Sequence, residues 1–211
     1  MPVAYYKSEN RDLLFLRGDC IELLNSFDFK FDMIFADPPY HLSNGGISVQ
    51  NGKMVSVNKG DWDKSNGYEE DYLFDKSWIA TCRNKLKSNG TIWISGTYHN
   101  IFSVARCLTE LGFKILNCIT WEKTNPPPNL SCKYFTYAAE YILWARKEPK
   151  VPHYFNYELM KKSMGVLRCV MFGDYRQLHD GKNLAVNILL KNRCAFCHEL
   201  FRPQPFLAHG F

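Results

Sequence analysis

No stretch of this sequence approaches the roughly 18 consecutive apolar residues of a membrane-crossing helix. The opening residues, Met1-Pro2-Val3-Ala4-Tyr5-Tyr6-Lys7, also lack an apolar segment behind a basic start. The sequence therefore predicts a soluble, intracellular protein. A lopsided charge is missing too: 26 basic against 21 acidic residues leave a formal net charge of +5. That balance tolerates a polyanionic partner without requiring one. No internal repeat is visible. The eight cysteines lack the setting of a disulfide framework, since most stand in apolar stretches such as Ala80-Thr81-Cys82 and Asn117-Cys118-Ile119. They are expected to be reduced core residues. The one tight group, Cys194-Ala195-Phe196-Cys197-His198, has a haem-attachment spacing without an export signal, and it has no second half-site for zinc. No metal is expected. What is present is 46% hydrophobic and 15% aromatic content over 211 residues, enough for one domain with a substantial core.

The chain alternates strand and helix signals. Residues 13–17 read as a strand, and Gly18-Asp19-Cys20 turns into a short helix over 21–25. Residues 31–36 are a short apolar run ending at Pro38-Pro39, as a buried parallel strand would. Residues 41–70 are rich in Gly, Asn, Ser and Lys without periodicity and read as a long polar loop. The spacing of Leu73, Phe74, Trp78, Ile79, Cys82 and Leu86 predicts a helix over 71–87, ended by Ser88-Asn89-Gly90. Strands follow at 91–95, 113–121 and 138–146, with a helix at 100–111 and a rigid loop at Asn125-Pro126-Pro127-Pro128-Asn129. Such alternation implies an α/β fold with a mostly parallel sheet covered by helices on both faces.

Asp37-Pro38-Pro39-Tyr40 directly follows the 31–36 strand. An amino group conjugated to a heteroaromatic ring is a poor nucleophile because its lone pair is delocalised. A carboxylate and a backbone carbonyl accepting its two hydrogens would draw the nitrogen toward a tetrahedral, reactive geometry. Asp37 and the Pro38 carbonyl suit that task; the prolines stiffen the backbone, and Tyr40 offers a face on which an extruded base could stack. The same four residues could instead form a plain surface turn. Their place favours a site, since ligands of open parallel sheets bind beyond the carboxyl ends of strands.

Several segments, in order, resemble the beta-class amino-methyltransferases of restriction-modification systems. Leu16-Arg17-Gly18-Asp19-Cys20 is similar to the family's segment near the cofactor adenine, and Asp37-Pro38-Pro39-Tyr40 to its catalytic motif. Gly60-Asp61-Trp62-Asp63-Lys64 resembles the segment after the catalytic loop, and Gly90-Thr91-Ile92-Trp93-Ile94 the next sheet strand. The stretch from Thr120-Trp121-Glu122-Lys123-Thr124-Asn125 through Glu140-Tyr141-Ile142-Leu143-Trp144-Ala145 resembles its motif around the flipped base. The likeness covers residues 10 to about 162.

The resemblance implies a Rossmann-like, S-adenosylmethionine-dependent fold and methyl transfer to a base of double-stranded DNA. Asp37, Pro38, Pro39 and Tyr40 would be catalytic. Asp19, Cys20 and Asp37 would face the cofactor. Tyr40, Trp62, Trp121, Lys123 and Asn125 would face DNA, with packing as the alternative role of either tryptophan. Residues 41–66 and 125–160 become candidate target-recognition loops. Asp in the first motif position goes with adenine and Ser with cytosine, whereas Asn would suggest protein glutamine. The chain is thus expected to be an adenine methyltransferase, with cytosine methylation or DNA binding without catalysis as the alternatives. A bacterial cytoplasmic location, a homodimer and a cognate restriction endonuclease acting without stable complex are further implications.

Two family motifs are absent: H-P-T-Q-K-P and the glycine-rich D-P-F-x-G-S-G-T that wraps the methionine part of the cofactor. Residues 1–162 read as the catalytic domain and 163–211 as an aberrant tail. Codons permitted for Val186 to Phe201, read from one base earlier, yield Lys-His-Pro-Thr-Gln-Lys-Pro. A lost base in an adenine run at Lys161-Lys162 would place the tail out of frame and leave it poorly structured. The resemblance puts two interior strands in the missing part, so this fold is expected to be incomplete and to bind S-adenosylmethionine weakly or not at all.

Overall fold

The computed structural model describes residues 4–9, 14–43, 45, 47–50, 53–56, 58–124, 126, 128–129, 131–158, 160 and 170–173. Strand β1 (Ala4–Lys7) pairs antiparallel with β2 (Leu14–Leu16), a two-stranded sheet separate from the main one. Helix α1 (Cys20–Asn25) begins at Asp19, whose Oδ1 accepts the backbone N–H groups of Ile21 and Glu22 at 2.9 and 3.0 Å. This is N-capping, and it explains why the helix starts at this residue.

Strand β3 (Phe31–Ala36) leads into the Asp37 turn. Strands β4 (Ile47–Gln50) and β5 (Lys53–Ser56) then pair antiparallel, and Asp61–Asp63 form a 3-10 turn. The stretch 41–70 is therefore not a plain loop. Cross-strand pairing needs no apolar stripe, and Asn51-Gly52 between the two strands is a strong short-range hairpin signal.

Helix α2 (Tyr68–Lys85) carries Glu69, Glu70 and Asp71 in its first turn and Arg83 and Lys85 in its last, each sign opposing the helix dipole. Strand β6 (Leu86–Gly96), helix α3 (Ile101–Glu110) and strands β7 (Lys114–Lys123), β8 (Ala139–Arg146) and β9 (Val170–Gly173) complete the order. The main sheet runs β3-β6-β8-β7-β9.

The pairings of β3 with β6 and of β7 with β9 are parallel, while β8 opposes both β6 and β7. The sheet is mixed, not mostly parallel. No helix separates β7 from β8 among the described residues, so the chain returns beside β7 in the opposite sense instead of crossing over. Of the tail 163–211, only Val170–Gly173 are described, as the β9 edge strand; the rest of that expectation lies outside the described residues.

Ile34, Trp78, Ile79, Ile92, Ile94 and Leu108 are fully buried between the main sheet and its helices, α2 packing on β6 and α3 on β7 and β8. Each such side chain stabilises the fold by about 1.5–3 kcal/mol through burial. The buried face of α2 runs through Tyr72, Asp75, Trp78, Ile79 and Cys82. Leu73 and Phe74, expected on that face, are exposed, because a 3.6-residue turn anchored by Trp78 and Cys82 rotates them away. On the sheet's other face Trp93 and Trp144 stack at 4.7 Å, and His153 and Phe155 pack against Trp144.

Cys20, Cys82 and Cys107 are buried as expected, and burial pushes the Cys20 thiol up to about 11. Cys118 and Cys132 are exposed, Cys118 because successive strand residues face opposite sides and only one side is covered by helix. No helix among the described residues is long and apolar enough to cross a membrane.

Candidate active site

The register Ala36↔Ile94 places Asp37 directly beside Ser95 at the carboxyl ends of β3 and β6. Antiparallel β8 begins at the same edge, and β7 ends there, with Trp121 opposite Glu140. Four strands thus converge on one rim. Asp37 Oδ1 accepts two hydroxyl hydrogen bonds, from Tyr40 at 2.6 Å and from Ser95 at 2.5 Å. Burial, followed by the Asp37 charge and hydrogen bond, raises the Tyr40 phenol well above its ordinary range, so it stays protonated and donates. The Lys59 ammonium lies over the Tyr40 ring at 5.7 Å from its centroid.

The backbone after Tyr40 is held by a second carboxylate. His41 has a φ of 56°, left-handed for a non-glycine residue, and the N–H groups on either side of it, of Tyr40 and Leu42, both donate to Asp63 at 3.1 Å. The Ser43 hydroxyl adds a third bond to Asp63 at 2.9 Å. Asp63 is 1% exposed. Its bonds compensate the cost of the left-handed residue, a use of local strain common at functional sites. From the other side the buried Asn100 donates to the Pro39 carbonyl at 3.2 Å and accepts from the Thr97 backbone at 3.0 Å. Gly96 is required there, since a β-carbon would approach Asn100 Oδ1 to 2.7 Å.

The residues expected from sequence fall into three groups. Asp37, Pro38, Pro39 and Tyr40 form the rim, the two prolines buried and the other two half-buried. Lys123 reaches the same rim but pairs with the buried Glu140, so its charge is already countered. Trp121 is half-buried in β7, while Trp62 is exposed, its ring folded against Gly60. Among the described residues no contact brings Asp19 or Cys20 to this rim; Asp19 caps α1 and Cys20 lies in the core. Asn125 lies outside the described residues. Ser95 and Asn100 had no local signal, because strand register and a strand-to-helix turn bring them in, whereas Glu140 stood in a family-like segment and only the β7–β8 pairing sets it opposite Trp121. Asp63 stood in a family-like segment, and only its burial reveals what it does.

Past the rim stand exposed aromatics. Tyr98 and Tyr137 stack at 4.0 Å with 10° between their planes, Tyr134 lies 5.9 Å from Tyr137, and Phe135 is 96% exposed. Among the described residues no group of three or more His, Cys, Asp or Glu is placed to hold a metal.

A model of the DNA methylase family, which covers N6 and N4 methylases, matches residues 31–168. This chain belongs to that family. As a DNA methylase chain it is 57% identical over 162 residues to type II methyltransferase M2.MboI of Moraxella bovis, covering 76% of this chain and 59% of that protein. It is 53% identical over 182 residues to type II methyltransferase M2.LlaDCHI of Lactococcus lactis subsp. cremoris, covering 85% and 64%. The chain thus spans about three fifths of the length of these relatives. Among solved structures, PvuII DNA methyltransferase (cytosine-N4-specific) matches with a TM-score of 0.56 at 16% identity, over 78% of this chain and 58% of that one. That likeness is one of fold: α/β, with the incomplete Rossmann-like sheet of a DNA methyltransferase.

Proposed function

We propose that this chain is the methyl-acceptor part of an adenine-specific DNA methyltransferase of a restriction-modification system, acting on duplex DNA from which the target base is flipped. The observation that carries this is the pairing, on one rim, of the Asp37 carboxylate with the Pro38 carbonyl, to which no donor comes among the described residues. Each accepts one hydrogen of the exocyclic amino group, which localises the nitrogen lone pair and aims it out of the ring plane. Tyr40 flanks the base, and residues 41–66, with those of 125–160 that lie outside strand β8, supply the target-recognition loops. Asp37 in the first motif position favours adenine over cytosine.

S-adenosylmethionine supplies the electrophilic sulfonium methyl in such a reaction. Asp19 and Cys20 do not make a cradle for it here, because Asp19 Oδ1 is taken by the α1 cap and Cys20 is in the core. This chain alone therefore binds S-adenosylmethionine weakly or not at all, and micromolar binding by calorimetry would overturn that. Residues 163–211 are proposed to be read out of frame, which sequencing of the coding DNA decides.

The deciding experiment is transfer of a tritiated methyl group to unmethylated DNA, by this chain and by a version with the tail restored to the alternative frame. Asp37→Ala lowers the rate about a hundredfold or more without unfolding the protein. Persistent activity would remove Asp37 from its role. Hydrolysis of the product separates N6-methyladenine from N4-methylcytosine. The Asp19 and Cys20 placement also favours a second reading, a DNA-binding piece without turnover, recognised by salt-sensitive binding with no methyl incorporation.

A further inference from the structure

Resting on the functional reading above, we infer that Ser95 is a positioning residue for the methyl acceptor, acting through Asp37. A carboxylate attached by a single rotatable Cβ–Cγ bond presents either oxygen to a ligand unless something fixes its plane. Ser95 and Tyr40 both donate to Oδ1, at 2.5 and 2.6 Å, from two different structural elements. Two donors on one oxygen fix the carboxylate plane, and among the described residues Oδ2 is left with no donor of its own. That is the oxygen directed to a substrate amino group.

The register of the sheet makes Ser95 the rigid member of this pair. It is 7% exposed, stands in the interior strand β6 opposite Ile142 of β8, and its hydroxyl also lies 3.3 Å from the Ala36 carbonyl. Tyr40 is on the turn itself and follows its motion. The next residues of the same segment perform a parallel selection among carbonyls. Asn100 takes the Pro39 carbonyl, and the Ser95 hydroxyl lies close to that of Ala36, which withdraws both from a substrate and leaves the Asp37 and Pro38 carbonyls between them. The stretch from β6 into α3 thus determines which carboxylate oxygen faces the base and narrows the choice of carbonyl.

The experiment uses the full chain with Asp carboxyl carbons labelled by 13C, the Asp37 signal being identified by its loss in Asp37→Asn. Ser95→Ala is expected to shift and broaden that signal, and Ser95→Thr, which keeps the hydroxyl, to return it to the wild-type position. An Asp37 signal unmoved in Ser95→Ala overturns the inference. With unmethylated plasmid DNA and tritiated S-adenosylmethionine, Ser95→Ala lowers kcat about tenfold, one hydrogen bond to a charged group, with KM for DNA within about twofold. Ser95→Thr recovers it. A rise in KM at unchanged kcat also overturns the inference. If the wild-type chain turns over no DNA, the carboxyl signal alone decides. Activity surviving in Asp37→Asn would instead sink the functional reading, while the carboxyl signal would still report on Ser95.

Discussion

The rim and the aromatic surface past it are built by opposite means. Around Asp37-Pro38-Pro39-Tyr40, buried polar groups are tied to one another: Asp63 receives three hydrogen bonds, Asn100 bridges Thr97 and Pro39, and Ser95 holds Asp37. Around Tyr98, Tyr134, Phe135 and Tyr137, the contacts are between ring faces, and the rings are largely open to solvent. Hydrogen bonds are directional and costly to leave unmade in a buried place, so the first part has one geometry. Ring stacking is tolerant of sliding and rotation, so the second can adapt to what lies on it. A reaction centre needs the former, and a surface that meets the bases or sugars of DNA benefits from the latter.

The sharpest break of this contrast is Asp63→Ala. It leaves two backbone N–H groups and the Ser43 hydroxyl without their buried acceptor beside a left-handed residue. Urea denaturation should show a loss of about 4 kcal/mol, since each orphaned donor costs about 1–3 kcal/mol and part relaxes toward water. A loss below about 1 kcal/mol would mean that the turn holds itself.

A somewhat smaller effect is expected from pH at Asp75, behind the rim between α2 and α3. Asp75 is 1% exposed and accepts from Trp78 Nε1 and the Ser103 hydroxyl, with His41 and Asp71 near enough to act on its charge. Burial raises its carboxyl from 3.8 to about 6. As pH rises through that window the unfolded chain ionises first, so stability falls by up to about 3 kcal/mol, at about 1.4 kcal/mol per pH unit. Below the window the contribution is fully present, and above about pH 6 it is lost. Asp75→Asn should flatten this part of the stability profile; an unchanged slope would assign it to other groups.

The least effect on folding is expected from Tyr137→Ala, at most about 1 kcal/mol for an exposed stacked pair. Its consequence should appear in DNA binding instead, measured by fluorescence anisotropy, as a loss of about 1–3 kcal/mol if a base or sugar lies on that ring. Equal affinity in the variant would leave the aromatic group without a DNA role.

Much of the fold was legible in the sequence. The strand at Phe31–Ala36, the helix around Trp78, Ile79 and Cys82, and the α3 helix before Gly112 all followed from apolar spacing and turn residues. The direction of β8 was not legible, because a strand's sequence does not encode whether its neighbour runs with or against it. The short β4–β5 pair was missed despite its Asn-Gly signal, since strands of four residues are too short for an alternating pattern to stand out.

Sequence by itself determined where a chemically capable turn stands. A carboxylate before two prolines and a tyrosine, at the end of an apolar strand, marks the proposed acceptor side through local backbone stiffness and group chemistry alone. Tertiary structure decided how those groups are held. Ser95, Asp63 and Asn100 lie 58, 26 and 63 positions from Asp37 by their numbers in the chain; strand register places Ser95, the 3-10 turn before α2 places Asp63, and the turn that follows β6 places Asn100. Hydrogen bonds of that kind depend on angles and separations set only when the sheet closes, so no local pattern announces them.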